Sequence, residues 1–352
     1  MSAYLQAIGT AVPPHDVHPA FLGWAARQLD RPRDAALFER MAARSGIAHR
    51  WSVLPLARSP TDAGAFYDVA NWPRTAARME VYAQEAPALA CSAVERLAEQ
   101  VPLDGITHLV LASCTGFVAP GIDQIIARRL GLASSVERLL IGFMGCYAAV
   151  AALRSARHIV RSEPAARVLV VTVELSTLHL RQTTDLEAIL AMLQFGDGAA
   201  AALVTAEAGG FALGKPFATT LPNSDDLIRW TITDEGFAMH LSGEVPARIA
   251  DALASEGFAA AAIGSHRPAD VDCWAVHAGG RSILDGVERA LDLPPEALAA
   301  SRRVLADHGN MSSATLMFVL ASLLTGPPVS RGVALAFGPG VAAEGFGFES
   351  AA

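Results

Sequence analysis

The chain has 352 residues, of which 52% are hydrophobic and 18% charged, so it can bury one large core or two of ordinary size. A net charge of −8 and the lack of a long basic run argue against nucleic acid as the main partner, although a local basic patch could still bind an anionic cofactor. The four cysteines lack CxxC spacing, which excludes a zinc ribbon and argues against a disulfide scaffold; they are Cys91, Cys114, Cys146 and Cys273.

No apolar run approaches the ~18 residues that a membrane-spanning helix needs. The longest candidate, Leu316–Leu324, is about half that length and is followed by Gly326-Pro327-Pro328. The segment Met1–Leu5 lacks the charged start and apolar core of a signal peptide. We therefore expect no membrane span and a cytoplasmic location.

Short, branched apolar runs alternate along the chain with longer patterns rich in Ala, Leu and Arg, which predicts an α/β layered fold. In chain order the predicted elements are helices Ala35–Ser45 and Val81–Gln100, strand Ile106–Ser113, helices Gly121–Leu130 and Tyr147–Ser162, strand Ala166–Glu174, helix Leu186–Leu193, strand Ala199–Thr205, helix Val245–Glu256, strand Trp274–His277, helices Ser282–Leu291 and Ala314–Leu324, and, between 332 and 337, a last strand.

Two irregular regions interrupt this alternation. Residues 50–73 contain three prolines and four aromatic residues, which indicates a covering loop. Gly and Pro break the pattern again near residues 206–222. We place the boundary between two halves there, giving residues 1–207 and 208–352.

Several predicted strands end in small or reactive residues. The three endings are Ser113-Cys114-Thr115-Gly116, His277-Ala278-Gly279-Gly280 and Phe337-Gly338-Pro339-Gly340. In α/β folds, ligands and catalytic groups collect at the carboxyl ends of strands. We therefore expect a functional site where these endings meet.

Cys146 follows Gly145 and directly precedes the amphipathic segment that begins at Tyr147. A sulfur at a helix start lies at the positive end of the helix dipole, which favours a nucleophilic thiolate. The alternative is a buried cysteine that acts as a small hydrophobic residue. The stretch alone leaves both interpretations open.

Two polar residues suit the same acyl-transfer chemistry. His277 ends a predicted strand, where it could polarise a thioester carbonyl or share a proton with the sulfur, or serve only in the structure. Asn310 precedes an apolar helix, so it could cap that helix or donate its amide to a developing oxyanion.

The segments GCYAA, WAVHAGG, HGNMSSAT and AFGPG occur in this order along the chain. In their order and spacing the chain resembles the type III polyketide synthases of bacterial type, the chalcone-synthase-like branch of the thiolase superfamily. The resemblance covers essentially the whole chain. It implies a duplicated five-layered α/β/α/β/α fold, a homodimer, and no metal or redox cofactor besides the coenzyme A thioesters that serve as substrates.

The resemblance also implies a mechanism for Cys146, His277 and Asn310. The cysteine of such enzymes accepts an acyl group from a starter acyl-CoA, and the histidine and asparagine hold malonyl-CoA while it loses CO2. The resulting enolate attacks the cysteine-bound acyl group, and repeated extension is followed by cyclisation to a pyrone, a resorcinol or a related phenolic product. We expect an aliphatic starter, because the adaptable Met239 stands where the family has an aromatic gatekeeper; an aromatic starter, or malonyl-CoA alone, stays open.

Further residues take roles only through the resemblance. Phe195 matches the aromatic gatekeeper between the CoA tunnel and the active cavity. An aromatic residue of the core would give the same sequence pattern. Met239 stands where the family has its second gatekeeping aromatic. Other positions implied to line the cavity are Cys114, Thr115, His179, Trp230, Ser312, Gly338, Pro339 and Gly340. The residues implied to bind CoA are Arg40, Arg44 and Ser282. An exposed i, i+4 arginine pair is also typical of a plain solvated surface, and the family's third basic position is Leu37.

Two other functions would fit the same residues. A chain-initiating 3-ketoacyl-ACP synthase uses the same triad for a single condensation onto a carrier protein. A non-catalytic binding protein could keep the thiolase fold without turnover. The GNMSS segment and the later GPG loop favour the polyketide branch, and the intact triad argues against a non-catalytic protein.

Overall fold

The computed structural model describes residues 2–255, 261–262 and 266–351. Within them, the strands are β1 (Tyr4–Ala11), β2 (His15–Asp16), β3 (Trp51–Ser52), β4 (His108–Ser113), β5 (Glu137–Gly142), β6 (Val168–Leu175), β7 (Asp197–Thr205), β8 (Phe211–Thr220), β9 (Ile228–Thr233), β10 (Gly236–Leu241), β11 (Cys273–Val276), β12 (Gly332–Gly338) and β13 (Ala342–Ser350).

The α-helices in the same residues are α1 (His18–Gln28), α2 (Pro32–Ala43), α3 (Thr75–Ala98), α4 (Ile122–Arg129), α5 (Ala148–Ser162), α6 (Leu186–Met192), α7 (Val245–Leu253), α8 (Arg281–Ala290), α9 (Ala299–His308) and α10 (Ser313–Leu324). Helix α7 ends three residues before the predicted end at Glu256, which itself lies outside the described residues.

One sheet pattern occurs twice. In the first half the strand order is β1-β7-β6-β4-β5, and in the second it is β8-β13-β12-β11. In each half, the first strand along the chain (β1 or β8) pairs antiparallel with the last (β7 or β13). The last strand pairs antiparallel with the strand before it (β6 or β12), and that strand pairs parallel with a further one (β4 or β11). The halves meet where β1 pairs with β8, with Tyr4 opposite Ala212 and Leu5 opposite Phe211.

The helices form three layers around the two halves of the sheet. Helices α5 and α10 pack together in the central core, between the two halves. Helices α3 and α4 cover the outer face of the first half, and α7, α8 and α9 cover that of the second. The predicted five-layered thiolase-like fold is therefore confirmed.

The sequence of the central elements explains this layering. Strands β6 and β7 are buried along their whole length because helices cover both faces of the sheet, and their sequences are mostly apolar. Helix α10, SATLMFVLASLL, is apolar on nearly every side and suits only the central layer. In the described residues no helix combines the length and apolarity needed to cross a membrane.

A smaller core lies beside the first half, where Phe21 and Trp24 of α1 pack against Ile189 of α6. Tyr67, from the irregular segment between β3 and α3, joins this core. The predicted covering loop is thus a roof over α1 and α6 rather than a free surface segment.

Candidate active site

Cys146 lies in the single turn Gly145–Tyr147 that immediately precedes α5. Gly145 has φ +69°, and a Cβ at this position would lie 2.5 Å from Cδ of Pro339. A Cβ on Gly338 would likewise lie 2.7 Å from Cδ1 of Tyr147. The GPG loop after β12 therefore packs directly on the cysteine turn, and both glycines are required by close approach.

The Cys146 thiol is buried, with 8% of the residue exposed, and the polar side chains of Ser312 and Asn310 lie beside it. Burial raises the pKa of Cys146 to about 12, and these two polar neighbours only partly oppose this. The helix start, which we expected to favour a thiolate, is outweighed by desolvation. The resting site therefore holds a neutral thiol.

Asn310 is fixed at both ends of its side-chain amide. Its Oδ1 accepts from the Ser312 N–H at 2.8 Å, and its Nδ2 donates to the Gly279 carbonyl at 3.2 Å. Ser312 has φ +47°, a strained conformation for a residue with a side chain. The amide thus bonds the backbone just ahead of α10 without capping that helix, whose N-cap position is Ser312 and which has no side-chain cap, and it also lies against the cysteine.

His277 follows β11 and donates its backbone N–H to Leu335 O at 2.8 Å. Its side chain is buried, and neither ring nitrogen has a hydrogen-bond partner among the described residues. Burial lowers the pKa of His277 to about 3, so the imidazole is neutral. Buried polar atoms without partners are costly, and here the hydrogen-bonding capacity of both nitrogens is unused.

Glu174 is a site residue that the sequence analysis missed. This buried carboxyl of β6 accepts hydrogen bonds from Cys114 N at 2.9 Å, Thr115 Oγ1 at 3.0 Å and Ser313 Oγ at 2.5 Å. Burial raises its pKa to about 7. Glu174 thereby joins the end of β4 to the start of α10 beneath Cys146; the available signal was a lone acid in the apolar run VLVVTVEL.

His179 forms a wall of the site rather than a proton carrier. Its Nε2 lies 2.8 Å from Thr115 O and its Nδ1 3.1 Å from Phe237 N, so Nε2 donates and Nδ1 accepts. The ring stacks on Phe237 with centroids 4.4 Å apart and meets Trp230 edge-on at 6.0 Å. Burial lowers the pKa of His179 to about 4, which keeps the ring neutral.

This burial predicts an acid-sensitive contribution to folding. Because the folded-state pKa of His179 is depressed from 6.5 to about 4, its stabilisation is complete above pH 6.5 and is lost as the pH falls towards 4. Urea unfolding at a series of pH values measures this. Between pH 6.5 and 4 the free energy of unfolding should fall by roughly 3 kcal/mol less in His179→Gln than in the wild type. Gln can keep both hydrogen bonds without titrating, so identical slopes in the two proteins would contradict this assignment.

An apolar cavity, here called the inner cavity, lies beneath the covering loop. Phe195, Trp230, His179 and Met239 line it, with the rings of Phe195 and Trp230 6.2 Å apart. Other lining residues come from the loop, α1 and α6, and include Val17, Ala20, Phe21, Arg50, Leu54, Pro60, Phe66, Tyr67, Leu180, Arg181, Ala188 and Met192.

The inner cavity adjoins the triad at Phe195, which lines the cavity and neighbours Asn310. Phe195 forms a parallel β-bridge with Asn310. In this bridge Asn310 N donates to Gln194 O at 2.8 Å, and Gly196 N donates to Asn310 O at 3.0 Å. The predicted gatekeeper therefore stands between the triad amide and the cavity.

A second depression, here called the entrance groove, lies on the other side of α6. Arg44, Gln194, Gly279, Gly280 and Ser282 are among its lining residues. Leu186 and Leu190 of α6 also line this groove, whereas Ala188 and Met192 line the inner cavity. Helix α6 is thus the partition between the two spaces.

The predicted site residues outside the triad lie at the Cys146 turn, in the inner cavity, in the entrance groove and, for Arg40, outside all three. At the turn, Cys114 accepts from Gly145 N at 3.0 Å, and Thr115 and Ser312 lie close by. The loop packed on this turn contains Gly338, Pro339 and Gly340. Phe195, Met239, His179 and Trp230 line the inner cavity. Arg44 and Ser282 line the entrance groove, and Arg40, one helical turn before Arg44, does not.

Two family matches span nearly the entire chain. Residues 2–208 match the N-terminal domain of chalcone and stilbene synthases, and residues 213–352 match their C-terminal domain. The chain belongs to the chalcone and stilbene synthase family. The resemblance that the four motifs suggested is therefore confirmed, and with it the enzyme class, a type III polyketide synthase of the acyltransferases.

Relatives and solved structures agree with this membership. The chain is 35% identical to the alpha-pyrone synthesis polyketide synthase-like Pks18 of Mycobacterium tuberculosis, over 77% of this chain and 72% of Pks18. It matches PKS-I of the brown alga Ectocarpus siliculosus with a TM-score of 0.89 and 30% identity, covering 99% and 98% of the two chains. It matches the type III polyketide synthase domain of Steely1 from Dictyostelium with a TM-score of 0.91 and 25% identity, covering 100% of each.

Proposed function

We propose that this polyketide synthase loads a starter acyl group from coenzyme A onto Sγ of Cys146 and extends it with malonyl-CoA by repeated decarboxylative condensation. Cyclisation then gives a pyrone, a resorcinol or a related phenolic product. One observation carries the proposal: a buried thiol lies against the Asn310 amide, in a site where both ring nitrogens of His277 are unpartnered. A nucleophile, an amide donor and a free imidazole are the groups that such chemistry requires.

Loading begins from the neutral thiol and the neutral imidazole. As Sγ bonds to the starter's thioester carbon, its proton passes to a ring nitrogen of His277. The bond between that carbon and the sulfur of CoA then breaks, and the imidazolium returns the proton to the departing CoA thiolate. The products are S-acyl Cys146, free CoA and neutral His277.

Extension uses the same donors on malonyl-CoA. When the carboxylate leaves as CO2, the electron pair of the broken C–C bond forms an enolate, whose oxygen accepts hydrogen bonds from Asn310 Nδ2 and a His277 N–H. The enolate carbon attacks the acyl carbon on Cys146, and the Cys146 thiolate leaves and takes a proton from solvent. The lengthened chain, now a thioester of CoA, is loaded onto Cys146 again in the same way as the starter. A buried site strengthens these hydrogen bonds, and the cycle as proposed needs no metal or redox cofactor.

The deciding experiment is incubation of the purified enzyme with malonyl-CoA and a panel of acyl-CoA starters, with products identified by mass spectrometry. We expect products that contain at least two malonyl-derived units and a ring. A single condensation that proceeds from malonyl-ACP but not from malonyl-CoA would instead identify a chain-initiating ketoacyl synthase. No turnover of any thioester would favour a binding protein.

We propose that the entrance groove holds the phosphate end of CoA. Arg44 and Ser282 line it together with Arg281, whose guanidinium donates to Arg44 O at 3.2 Å and pairs with Asp285 at 3.5 Å. Arg44→Ala should raise the KM for malonyl-CoA roughly tenfold with little change in kcat, because a phosphate contact contributes to binding in the ground and transition states alike. Steady-state kinetics of Arg40→Ala, which removes a cation outside the groove, provide the control; an equal effect there would contradict the assignment.

We propose that two copies form a homodimer through the edge strand β5. Leu139 and Leu140 of this strand are 44% and 47% exposed, and the neighbouring Phe143 and Phe117 are 60% and 66% exposed. A contiguous apolar edge of this kind is typical of an interface.

We also propose a cytoplasmic location, where CoA thioesters are made. The four free cysteines agree with this location.

Charge introduced at this edge tests the dimer. Leu140→Glu should halve the mass measured by light scattering, because a carboxylate would be buried without a partner at the interface. Ile232→Glu, at another site that is 65% exposed, should leave the mass unchanged. A monomeric wild type, or a Leu140→Glu protein of unchanged mass, would contradict this interface.

A further inference from the structure

Arg50 is a buried cation without a counter-ion. Its Nε donates to His18 Nδ1 at 2.9 Å, and its Nη1 donates to the carbonyls of Met192 at 3.0 Å and Phe195 at 2.8 Å. The Nη2 atom is buried and has no hydrogen-bond partner in the described part of the chain. No described ion pair contains Arg50, so the nearest carboxylates, of Asp16 and Asp197, compensate its charge only from a distance.

Such a group is unusual in a folded protein. Burying a charge is costly unless it is paired and fully hydrogen-bonded. Burial does lower the pKa of Arg50, to about 9, but this leaves the guanidinium charged at neutral pH. Two of the five N–H bonds of the Arg50 guanidinium therefore have no acceptor. An anion beside Nη2 would supply one.

Arg50 is one of the residues that line the inner cavity, with its unpartnered Nη2 buried just behind the wall. Arg50 lines this cavity, as does Arg181, which forms no ion pair with any described residue. None of the described lining residues is Asp or Glu. The rest of the wall is mostly apolar, from Phe21 to Phe66 and Met192, so the space combines a lining for alkyl groups with a positive charge that forms no described ion pair.

We propose that the inner cavity holds an aliphatic starter chain that ends in a carboxylate, and that Arg50, assisted by Arg181, is the specificity determinant for that end group. The starter class is thus the CoA monothioesters of aliphatic dicarboxylic acids. This inference rests on the proposed function, because the chain must reach the cavity from a thioester at Cys146. The two sites adjoin at Phe195, which is bridged to the triad residue Asn310 through the backbone and also lines the cavity.

The chemistry distinguishes this class from plain acyl chains. A terminal carboxylate would accept from Nη2 of Arg50 and supply the missing counter-charge, whereas a terminal methyl group would leave the guanidinium unpaired. Sites built around a buried polar group reject analogues that lack its partner far more strongly than apolar pockets reject a missing methylene. The preference should therefore depend on the end group more than on the chain length.

The test compares matched starters: adipyl-, suberyl- and sebacyl-CoA against hexanoyl-, octanoyl- and decanoyl-CoA, each with malonyl-CoA. For at least one pair we expect kcat/KM to favour the carboxylated starter by roughly tenfold or more. Arg181→Gln should reduce that ratio several-fold and Arg50→Gln should abolish it. Arg58→Gln, which removes an exposed cation of the covering loop outside the cavity, should leave the ratio at its wild-type value.

A binding measurement covers the case in which Arg50→Gln does not fold, since Arg50 also supports two backbone carbonyls. Calorimetry on the Cys146→Ala protein, which cannot be acylated at this position, should show tighter binding of suberyl-CoA than of octanoyl-CoA, and Arg181→Gln should narrow the difference. Preference for the methyl-ended starter, or a ratio that neither arginine affects, would overturn the inference and leave the proposed function intact. Failure of every starter would instead refute the proposed function.

Discussion

The Cys146→Ala enzyme is expected to form no polyketide while still decarboxylating malonyl-CoA. The substitution removes the only atom at the start of α5 that can carry the acyl chain, but it leaves Asn310 and His277 in place to hold the malonyl thioester. Condensation should fall on the order of 10³-fold or more, because removing the nucleophile of a concerted catalytic unit eliminates nearly all of its contribution. Product assays and release of CO2 measure the two activities separately.

Intact-protein mass spectrometry supplies the complementary measurement. Wild-type enzyme incubated with an acyl-CoA alone should gain the mass of one acyl group, and Cys146→Ala should gain none. Cys91→Ala is the matched control, because Cys91 is a partly exposed residue of α3 outside the site. Polyketide formation by Cys146→Ala at the wild-type rate would refute the covalent mechanism.

Replacing Asn310 by Asp is expected to impair decarboxylation and condensation while leaving acylation of Cys146 intact. Asp keeps the shape and the oxygen that accepts from Ser312 N, but it exchanges the Nδ2 donor for a second oxygen that can carry negative charge. An enolate oxygen would then meet an acceptor where it needs a donor. Decarboxylation and condensation should fall by roughly 10²–10³-fold, the usual cost of losing one oxyanion donor.

Loading of Cys146 by the starter should survive in Asn310→Asp, because that step depends on the thiol and His277. Single-turnover acylation followed by mass spectrometry measures it directly. Asn71→Asp, at an exposed position in a short helical turn, controls for the change of charge. Unimpaired decarboxylation in Asn310→Asp would remove the amide from the mechanism and leave it a purely structural role at the start of α10.

The sequence pattern predicted those strands whose burial is uniform. Strands β4, β6 and β12 are buried along their whole length and are mostly apolar in sequence. Strand β5, ERLLIG, was missed because it lies at the sheet edge and four of its six residues are exposed. Strand β8 was missed because Gly214 and Pro216 interrupt it, and the interruption was interpreted as a boundary region.

The order of the motifs identified Cys146, His277 and Asn310 as site residues. Contacts between distant parts of the chain could not be predicted from it. Glu174 meets Ser313, which is 139 positions away, and Arg50 meets Phe195, which is 145 positions away. Neither partner follows from local spacing. The protonation state of Cys146 was unpredictable for a related reason: desolvation depends on the packing of both halves around the sulfur, and the helix start was the only part of that environment that the sequence displayed.

The repeated strand order places two helix starts symmetrically at the active site. Helix α5 and helix α10 occupy equivalent places in the two halves, each entering the central layer ahead of the next-to-last strand of its half. With the same residues at both starts, this arrangement would hold two equal half-sites. The two starts differ instead: one carries the sulfur of Cys146, and the other carries an amide and hydroxyls at Asn310, Ser312 and Ser313. The pseudo-symmetric frame therefore holds a single asymmetric centre.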